Sequence, residues 1–285
     1  MKLSEVKNVF PSEFYGHTFM SNPTIQKLQD GYFLYYSDRD NDNRSLIYRL
    51  LLTNDFTVRG LPELFSEVPL NSEYAFSGLG CGDISRDGKL WCMGWQNPDL
   101  GHWRGDIVSV DLNTGSYDDM PLLKSSPKES FSYPHFAVVD NVEHVYFGNT
   151  YNNWRGPSDE MIHVIEGAIK LDNEWYRIGR VGPCIIGVGQ AFSRPYLHAI
   201  SEDDFTLIYS YRGGADKYKI GFSKSNIHTS FGSINNLFDN VMLQKGLDDE
   251  MQCYPYLVSA NKKYYLFYNG NDFGKTGIIV RELTF

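Results

Sequence analysis

Four carboxylates lie near predicted strand starts, where paired acids could perform proton-transfer chemistry. Asp83 follows a glycine at the start of one predicted strand, and Glu129 and Glu250 each lie five residues before a proline at the start of another. Asp249 directly precedes Glu250. Two carboxyl groups about 5–10 Å apart can donate and accept a proton at one glycosidic bond. We predict Asp83 and Glu250 as this pair, with Asp249 as a further catalytic candidate and Glu129 in ligand binding; the alternative is that these acids cap turns.

Arginine residues recur in the long predicted loops. Arg39, Arg104, Arg155 and Arg212 each lie in such a loop, and Arg194 lies at the start of a predicted strand. Guanidinium groups bind carboxylates and phosphates through two hydrogen bonds, and a basic funnel on an acidic protein concentrates anions. The alternative is that each arginine pairs with a neighbouring acid. Taken together, the five arginines predict an anionic ligand.

Aromatic and polar residues in the same regions are suited to binding a sugar. Trp103 and Trp154 lie in mid-loop and each is directly followed by an arginine, while Asp272 lies in another long loop and Asn22 at a strand start. The C–H groups of a sugar stack on an aromatic ring while its hydroxyl groups meet polar side chains. We therefore predict that these four residues contact a carbohydrate.

A unit of about sixty residues positions all of these side chains, an interval slightly longer than that of most propeller blades. The units begin with SNPTI, GDISR, SYPHF, SRPYL and CYPYL, and each continues into a turn and an aromatic-rich strand such as YFLYYS or YYLFYN. Five units fill the chain, so the sequence predicts an all-β fold, a five-bladed β-propeller. We predict one domain over residues 1–285, with inner strands starting near residues 22, 83, 133, 194 and 254.

The connections within each unit predict which face carries the site. First and second strands are joined by short turns such as LQDG, whereas second and third strands are joined by long polar loops such as QNPDLGHWRGD and NTYNNWRGPSDE. Long loops on a rigid scaffold usually carry function, so we expect the site in the axial funnel on that face. The last unit ends at GIIVRELTF without an outer strand. Because an open edge is unfavourable, the amino-terminal segment EVKNVF is expected to complete this blade.

Composition limits the classes of partner and cofactor. The net charge of −9 argues against nucleic-acid binding, and no apolar run approaches the roughly twenty residues of a membrane span. The amino terminus has no continuous apolar region typical of a secretory signal, and the four cysteines lack metal-ligand spacing. We predict a cytoplasmic protein with free thiols, no metal or other cofactor, and no nucleic-acid or membrane partner; the oligomeric state is left open.

Two segments resemble those that five-bladed propeller glycosidases repeat in each blade. They are FSRPYLHAISEDDFTLIYSYRGGADKYKIGFSKS and DDEMQCYPYLVSANKKYYLFYNGNDFGKTGI. The chain resembles glycoside hydrolase families 43 and 32 and the family 130 phosphorylases, and is similar to propellers associated with bacterial surface-polysaccharide biosynthesis. The family 43 pattern implies acids at three inner-strand starts, where this chain has Asn22, Tyr133 and Arg194. Some propeller glycosidases hold an axial calcium ion, but no loop here has EF-hand-like spacing.

The leading hypothesis is a carbohydrate-active enzyme that cleaves or transfers a glycosyl bond of an anionic sugar, such as a sugar phosphate, a nucleotide sugar or an acidic glycan intermediate. One alternative is an inorganic-phosphate-dependent glycoside phosphorylase. Another is a sugar-binding propeller without catalytic acids, and a structural scaffold comes last. The resemblance implies the architecture more strongly than the reaction, because one fold supports many functions.

Overall fold

The computed structural model describes residues 1–95, 105–156, 161–214 and 216–285, except for the side chains of residues 152–154. Strands joined by short turns make up most of the described chain, and its helical segments are a 3-10 turn at Glu13–Tyr15 and a single turn at Asn271–Gly274. The predicted all-β class is confirmed. Aromatic and β-branched residues are frequent in the strands because these side chains pack well on a pleated, half-buried surface.

After an amino-terminal strand, β1 (Lys2–Phe10), the strands form antiparallel groups in chain order. The first group contains β2 (Ser21–Leu28), β3 (Gly31–Arg39), β4 (Ser45–Leu52) and β5 (Val58–Ser66). The second group contains β6 (Leu79–Ile84), β7 (Lys89–Gly94), β8 (Ile107–Asp111) and β9 (Tyr117–Asp118).

Two further groups are joined into one sheet by a single parallel pair between His163 and Ala191. The third group contains β10 (Glu129–Val139), β11 (Val142–Arg155), β12 (Met161–Leu171) and β13 (Glu174–Arg180). The fourth group contains β14 (Ala191–Ser201), β15 (Asp204–Arg212), β16 (Lys219–Ser225) and β17 (Asn235–Asn236).

The fifth group contains strands from both ends of the chain. Its strands β18 (Cys253–Ala260), β19 (Lys263–Asn269) and β20 (Ile278–Thr284) are followed by β1, which pairs antiparallel with β20. Lys2 lies opposite Thr284 and Phe10 opposite Ile278. The segment EVKNVF belongs to β1, so the amino terminus covers the edge that β20 would otherwise expose.

The first strands of the five groups surround a common centre. β2 contacts β6, β6 contacts β10, β10 contacts β14, β14 contacts β18, and β18 contacts β2. Aromatic side chains fill the space between neighbouring groups: the ring of Phe56 lies edge-on to Phe267 at 5.2 Å and to Tyr265 at 5.0 Å. Such edge-on pairs stabilise an aromatic core beyond their buried area.

The repeated proline marks a bulge in four of these first strands. The residue before the proline is left-handed in each, with φ of 59° at Asn22, 42° at Tyr133, 49° at Arg194 and 55° at Tyr254. Pairing with the second strand shifts register at each of these positions. Bulges change the direction in which side chains point. Here they bring the ring centres of Tyr133 and Tyr254 to 5.2 Å from each other.

The second group has its register shift without a proline. Its pairing shifts between Cys81 and Asp83, and a Cβ atom on Gly82 would lie 2.6 Å from a ring carbon of Pro134. Only glycine fits against that neighbouring ring. The strand begins at Leu79, so Asp83 lies near the end of β6 and not at its start.

Candidate functional site

Two adjoining cavities open where several of the first strands begin. The first lobe has a volume of about 260 Å³ and the second lobe about 570 Å³. Trp95, Tyr254 and Phe273 line both lobes and form an aromatic wall between them. We call the two lobes together the cleft. A concave, largely aromatic surface of this kind is typical of small-molecule sites.

The second-to-third-strand loops lie on the same side as the cleft. Arg39 ends β3 and lines the first lobe, while Arg212 ends β15 and lines the second. Asn22 and Tyr133, at the bulges of β2 and β10, also line the first lobe. The bulges and the long loops therefore supply the walls of one cleft.

A buried carboxylate lines the first lobe. Asp38, 6% exposed, has its Oδ2 2.6 Å from Nδ1 of His17, and its Oδ1 accepts the backbone N–H of Phe19 at 2.8 Å. The hydroxyl of Tyr36 lies 2.8 Å from Nε2 of His17. Burial, with the charge of Asp38 adding to it, raises the pKa of Tyr36 well above its usual value, so the hydroxyl stays protonated. The series of hydrogen bonds from Tyr36 through His17 fixes the orientation of the Asp38 carboxylate.

Arg39 contacts both its own loop and the aromatic wall. Its Nη1 donates to the backbone oxygen and to Oδ1 of Asn43, at 3.0 Å and 2.9 Å, and its guanidinium carbon lies 5.3 Å from the ring centre of Trp95. This stacking orients both side chains at the mouth of the first lobe.

Phe273 is the most exposed residue of the aromatic wall, with 43% of its surface accessible. Its ring lies 6.2 Å from Tyr254 and 6.0 Å from Tyr218. Its backbone is left-handed, with φ of 59°, and so is that of Asp272, with φ of 52°. A phenylalanine in this region is strained, and such strain is concentrated at ligand sites.

Charged groups of both signs line the cleft. The described lining contains three cations, Arg39, Arg212 and Lys217, and three carboxylates, Asp38, Asp216 and Asp272. Arg212 donates to the backbone oxygen of Gly214 and stacks 5.4 Å from the ring centre of Tyr218. The described lining is therefore balanced in charge and does not form a basic funnel.

Asp83, predicted to be catalytic, is buried and is not among the residues that line the cleft. Its Oδ2 lies 2.7 Å from Nδ1 of His135 and accepts the backbone N–H of Phe136 at 2.9 Å, while its Oδ1 accepts the hydroxyl of Tyr256 at 2.8 Å. Burial raises the pKa of Asp83, but His135 and these hydrogen bonds outweigh it, so the pKa is lowered overall. The carboxylate joins strands of three groups.

Arg194, predicted to bind ligand, instead crosses the centre of the fold. It is 2% exposed, and its guanidinium donates to the backbone oxygens of Pro23, Cys81 and Gly82 and to Oγ1 of Thr24. These partners belong to β2 and β6, across from β14. Burial lowers the pKa of Arg194.

The Arg194 position also bears on the axial calcium ion of some propeller glycosidases. A guanidinium already binds the backbone oxygens at the centre, so these residues do not fit a second cation there. Among the described residues, no three or more His, Cys, Asp or Glu side chains are arranged to hold a metal ion.

Glu129 lies outside the cleft in a buried network of the third group. Its carboxylate binds Arg177 at 2.8 Å and Nδ2 of Asn149 at 3.1 Å, and both partners also bind Glu166. Burial raises the pKa of Glu129, but the hydrogen bonds from Arg177 and Asn149 outweigh it and lower the pKa to about 2. These bonds hold four strands of one group together.

Glu250 and Asp249 lie at the surface, away from Asp83. The Glu250 side chain is 58% exposed and pairs with Lys217, and Asp249 accepts the N–H of Gly246 and Nδ2 of Asn271, each at 2.9 Å. Neither lines the cleft, so the structure does not bring Asp83 and Glu250 into one cavity.

The remaining predicted contacts are divided between the cleft and other regions. Asn22 and Asp272 line the cleft, and Arg155 is exposed at the end of β11, outside the lining of either lobe. Trp103, Arg104 and the side chain of Trp154 lie outside the described residues.

Sequence reasoning missed Asp38, Trp95 and Phe273 as cleft residues. Asp38 stands directly before Arg39, and His17 lies six residues before the proline of the first unit. No pattern in the sequence predicts that these two side chains contact each other. Their contact joins residues 21 positions apart, with β2 and most of β3 between them. The wall combines Trp95, beside the second group, with Tyr254 and Phe273 of the fifth group, so no local sequence pattern predicts it.

No known family model matches this sequence. Two curated proteins of Mycobacterium tuberculosis are similar to it. The Uncharacterized protein Rv1502 of strain H37Rv is 24% identical over 269 residues, which cover 87% of this chain and 86% of that protein. The Uncharacterized protein MT1551 of strain CDC 1551 is 23% identical over 269 residues, with the same coverage.

Solved structures of glycoside hydrolases share the fold. One glycoside hydrolase has a TM-score of 0.70 at 14% identity, covering 99% of this chain and 92% of its own. An endo-arabinase from Bacteroides thetaiotaomicron has a TM-score of 0.65 at 14% identity, with 97% of each chain covered. A thermostable family-43 glycoside hydrolase has a TM-score of 0.64 at 14% identity, covering 100% and 93%. The predicted resemblance is confirmed at the level of the fold, which this chain shares with family-43 glycoside hydrolases.

In the part of the chain that the structure describes, no helix combines the length and the apolar character that a membrane span needs.

Proposed function

We propose that this chain is a glycosidase-like, carbohydrate-active β-propeller that binds a glycan in the cleft and acts on a glycosidic bond there. The closed series of contacts among β2, β6, β10, β14 and β18 supports five blades in one domain over residues 1–285. The pairing of β1 with β20 supports closure by the amino terminus. The cytoplasmic location stays a prediction.

The observation that carries this proposal is the combination of an aromatic wall with an oriented, buried carboxylate. Trp95, Tyr254 and Phe273 offer ring faces on which sugar C–H groups stack. Asp38, held by His17 and the N–H of Phe19, faces the same lobe. Each of its oxygens has a further lone pair that can accept a hydrogen bond.

Cleavage of a glycosidic bond needs a second carboxyl group. We assign Asp38 the role of base toward the attacking water or hydroxyl, because His17 and the N–H of Phe19 hold its carboxylate in a fixed orientation at the first lobe. Asp272 is the partner that we assign to proton donation, since it lines the second lobe next to Phe273 in the wall. The glycosidic bond to be broken would then lie at the boundary between the two lobes, with Asp38 on one side and Asp272 on the other.

We further propose that the substrate carries an anionic group. Arg39 and Arg212 line the cleft and have guanidinium edges suited to a carboxylate or phosphate. Because the described lining contains as many carboxylates as cations, we assign most of the recognition to ring stacking and hydroxyl contacts.

A sugar-binding propeller without catalysis is the second candidate function. It is favoured by the positions of Asp83, Asp249 and Glu250, which are engaged in the centre or at the surface and do not line the cleft. This candidate predicts saturable binding with no turnover.

The test is proton NMR of the protein with neutral oligosaccharides, sugar phosphates and nucleotide sugars, with and without inorganic phosphate. New anomeric signals are expected, and Asp38→Asn should slow their appearance by about 10²-fold or more. Asp42→Asn, an exposed acid in the adjacent turn, is the matched control and should leave turnover unchanged. Trp95→Ala should weaken binding.

Each other outcome decides between the hypotheses. Line broadening without new signals supports the sugar-binding propeller, and turnover only with phosphate supports a phosphorylase. Equal turnover in Asp38→Asn and the unmodified protein would refute the assigned role of Asp38. If Arg212→Gln weakens binding of anionic and neutral sugars alike, the anionic part of the proposal is wrong.

A further inference from the structure

Two histidines from different groups meet outside the cleft. His144, 5% exposed, lies near the start of β11, and His228 follows β16. Their Nε2 atoms are 3.2 Å apart, and the rings are nearly perpendicular, at 85°, with centres 4.7 Å apart. The pair joins the third group to the fourth, and neither residue lines the cleft.

A hydrogen bond determines which nitrogen of His144 carries the proton. Its Nδ1 lies 2.9 Å from the backbone oxygen of Val142, which can only accept. Nδ1 is therefore the donor, and the lone pair of Nε2 points to His228 in the neutral ring. A ring N–H bound to a carbonyl on the far side is the arrangement that orients metal-binding histidines.

A carboxylate and an aromatic ring lie beside the two histidines. Burial lowers the pKa of His144, and burial together with the neighbouring His144 lowers the pKa of His228. The carboxylate of Asp140 opposes both shifts and so lies near enough to stabilise positive charge at either ring. Tyr146 stacks on His144 with ring centres 6.2 Å apart and limits its rotation.

We propose that His144 and His228 bind a divalent transition-metal cation of the zinc, nickel or copper class through their Nε2 atoms. Two nitrogens on one tetrahedral zinc ion lie about 3.3 Å apart, given Zn–N bonds of about 2.0–2.1 Å. The observed separation of 3.2 Å matches this value. Imidazole nitrogens select these ions over magnesium and calcium.

Binding needs only a change of tautomer in the protein. His228 moves its proton from Nε2 to Nδ1, so that both Nε2 lone pairs meet the cation while both rings stay neutral. Water completes the coordination shell, because the described residues bring no third His, Cys, Asp or Glu into the group. The ion would link two strand groups, so it should stabilise the folded protein.

The test is calorimetric titration of the full-length, tag-free protein with zinc chloride alone, together with thermal melts. We expect saturable binding of one ion and a rise in melting temperature with zinc. His144→Gln and His228→Gln should each weaken binding at least tenfold, since even supporting partners of metal ligands contribute this much. His198→Gln, a half-buried histidine stacked on Phe285 at 4.2 Å, is the matched control and should bind as the unmodified protein does.

Two results would overturn the proposal. One is the absence of saturable binding up to about 1 mM zinc, a range well above that of protein sites that stabilise folds. The other is binding that persists in His228→Gln, because other groups, such as the Cys184 thiol, would then hold the ion. His228 is only half-buried, so its variant decides the question even where His144→Gln fails to fold.

Discussion

At the scale of single residues, Arg194 places a positive charge at the centre of the fold. Hydrogen bonds from its guanidinium to backbone oxygens stabilise this charge. Its guanidinium lies 5.9 Å from the ring centre of Tyr133 and 5.8 Å from that of Tyr256, close enough for cation–π attraction. Its hydrogen bonds reach two strands across the centre. A planar group with five donors can span these strands, whereas a lysine ammonium cannot.

Arg194→Met should therefore destabilise the protein without a direct effect on the ligand. The change removes the guanidinium donor from the buried backbone oxygens of Pro23 and Cys81, at about 1–3 kcal/mol for each unpaired group. The backbone oxygen of Gly82 keeps the hydroxyl of Thr24 as a donor. We expect the free energy of unfolding in urea to fall by about 3 kcal/mol or more. Arg59→Met, at an exposed arginine, is the control. Unchanged stability with lost sugar binding would instead make Arg194 a ligand contact.

Glu129 provides a prediction about acid stability. Its folded pKa of about 2 lies below the reference value of 4.5, so its contribution is fully present above that reference value and is lost as the pH falls toward 2. Glu129→Gln should remove this part of the acid dependence. Urea midpoints measured from pH 7 to pH 3 should fall less steeply in Glu129→Gln than in the unmodified protein. Glu202→Gln, at an exposed site, should keep the original slope.

At the scale of elements, a buried ion pair between Arg281 and Asp248 connects β20 to its two neighbouring strands and to the loop before β18. Arg281 donates to Oδ2 of Asp248 at 2.9 Å, to the hydroxyl of Tyr268 at 2.8 Å and to the backbone oxygen of Ser4 in β1 at 2.9 Å. Asp248 also accepts the Tyr268 hydroxyl at 2.7 Å. The network connects β1, β19, β20 and the loop before β18.

Removal of one partner of this pair should cost far more than removal of both. Asp248→Ala leaves the Arg281 charge buried and uncompensated, which typically costs about 3–5 kcal/mol. Arg281→Met together with Asp248→Ala should recover part of that loss. The measurement is a double-mutant cycle of unfolding free energies, with Lys263→Met and Glu282→Gln as an exposed pair for comparison. Additive losses would show that the pair does not act as a unit.

The elements were more predictable than the site because strand signals are local. The aromatic runs and the repeated proline predicted the all-β class, whereas the conformation at the proline depends on the neighbouring sheet. Asp83 shows the difference: its residue type suggested catalysis, but after the register shift of β6 it is buried against His135 and Tyr256. Asp38 could not be singled out, since its position depends on His17 folding back over the end of β3.

At the scale of the whole molecule, the fold is shared with glycoside hydrolases while the centre differs from the family pattern. Asn22, Tyr133 and Arg194 stand where the family 43 pattern implies acids. Tyr133 contributes to the cleft and Arg194 to the centre beneath it. The same scaffold can therefore keep a cleft while the residues at its centre take a structural role.

Because β1 and β20 pair side by side, we expect the protein to tolerate a circular permutation of its strand groups. A circular permutant that joins Phe285 to Met1 through a short flexible linker and opens between Leu70 and Asn71 keeps every strand pair intact, and both residues at the opening are exposed. We expect it to fold with a melting temperature near that of the original chain. A permutant opened within β19, between Leu266 and Phe267, should fail to fold. Equal behaviour of the two would contradict the strand pairing.

The pairing of β1 with β20 also has a consequence for synthesis. A ribosome releases β1 long before β20, the strand with which it pairs, since Lys2 lies opposite Thr284 and Phe10 opposite Ile278. During translation, the strand groups between them can fold one after another as they emerge, but β1 must wait for β20. A nascent chain halted before residue 278 therefore carries β1 without its partner strand, and this exposed strand is where a chaperone or a second nascent chain would first bind.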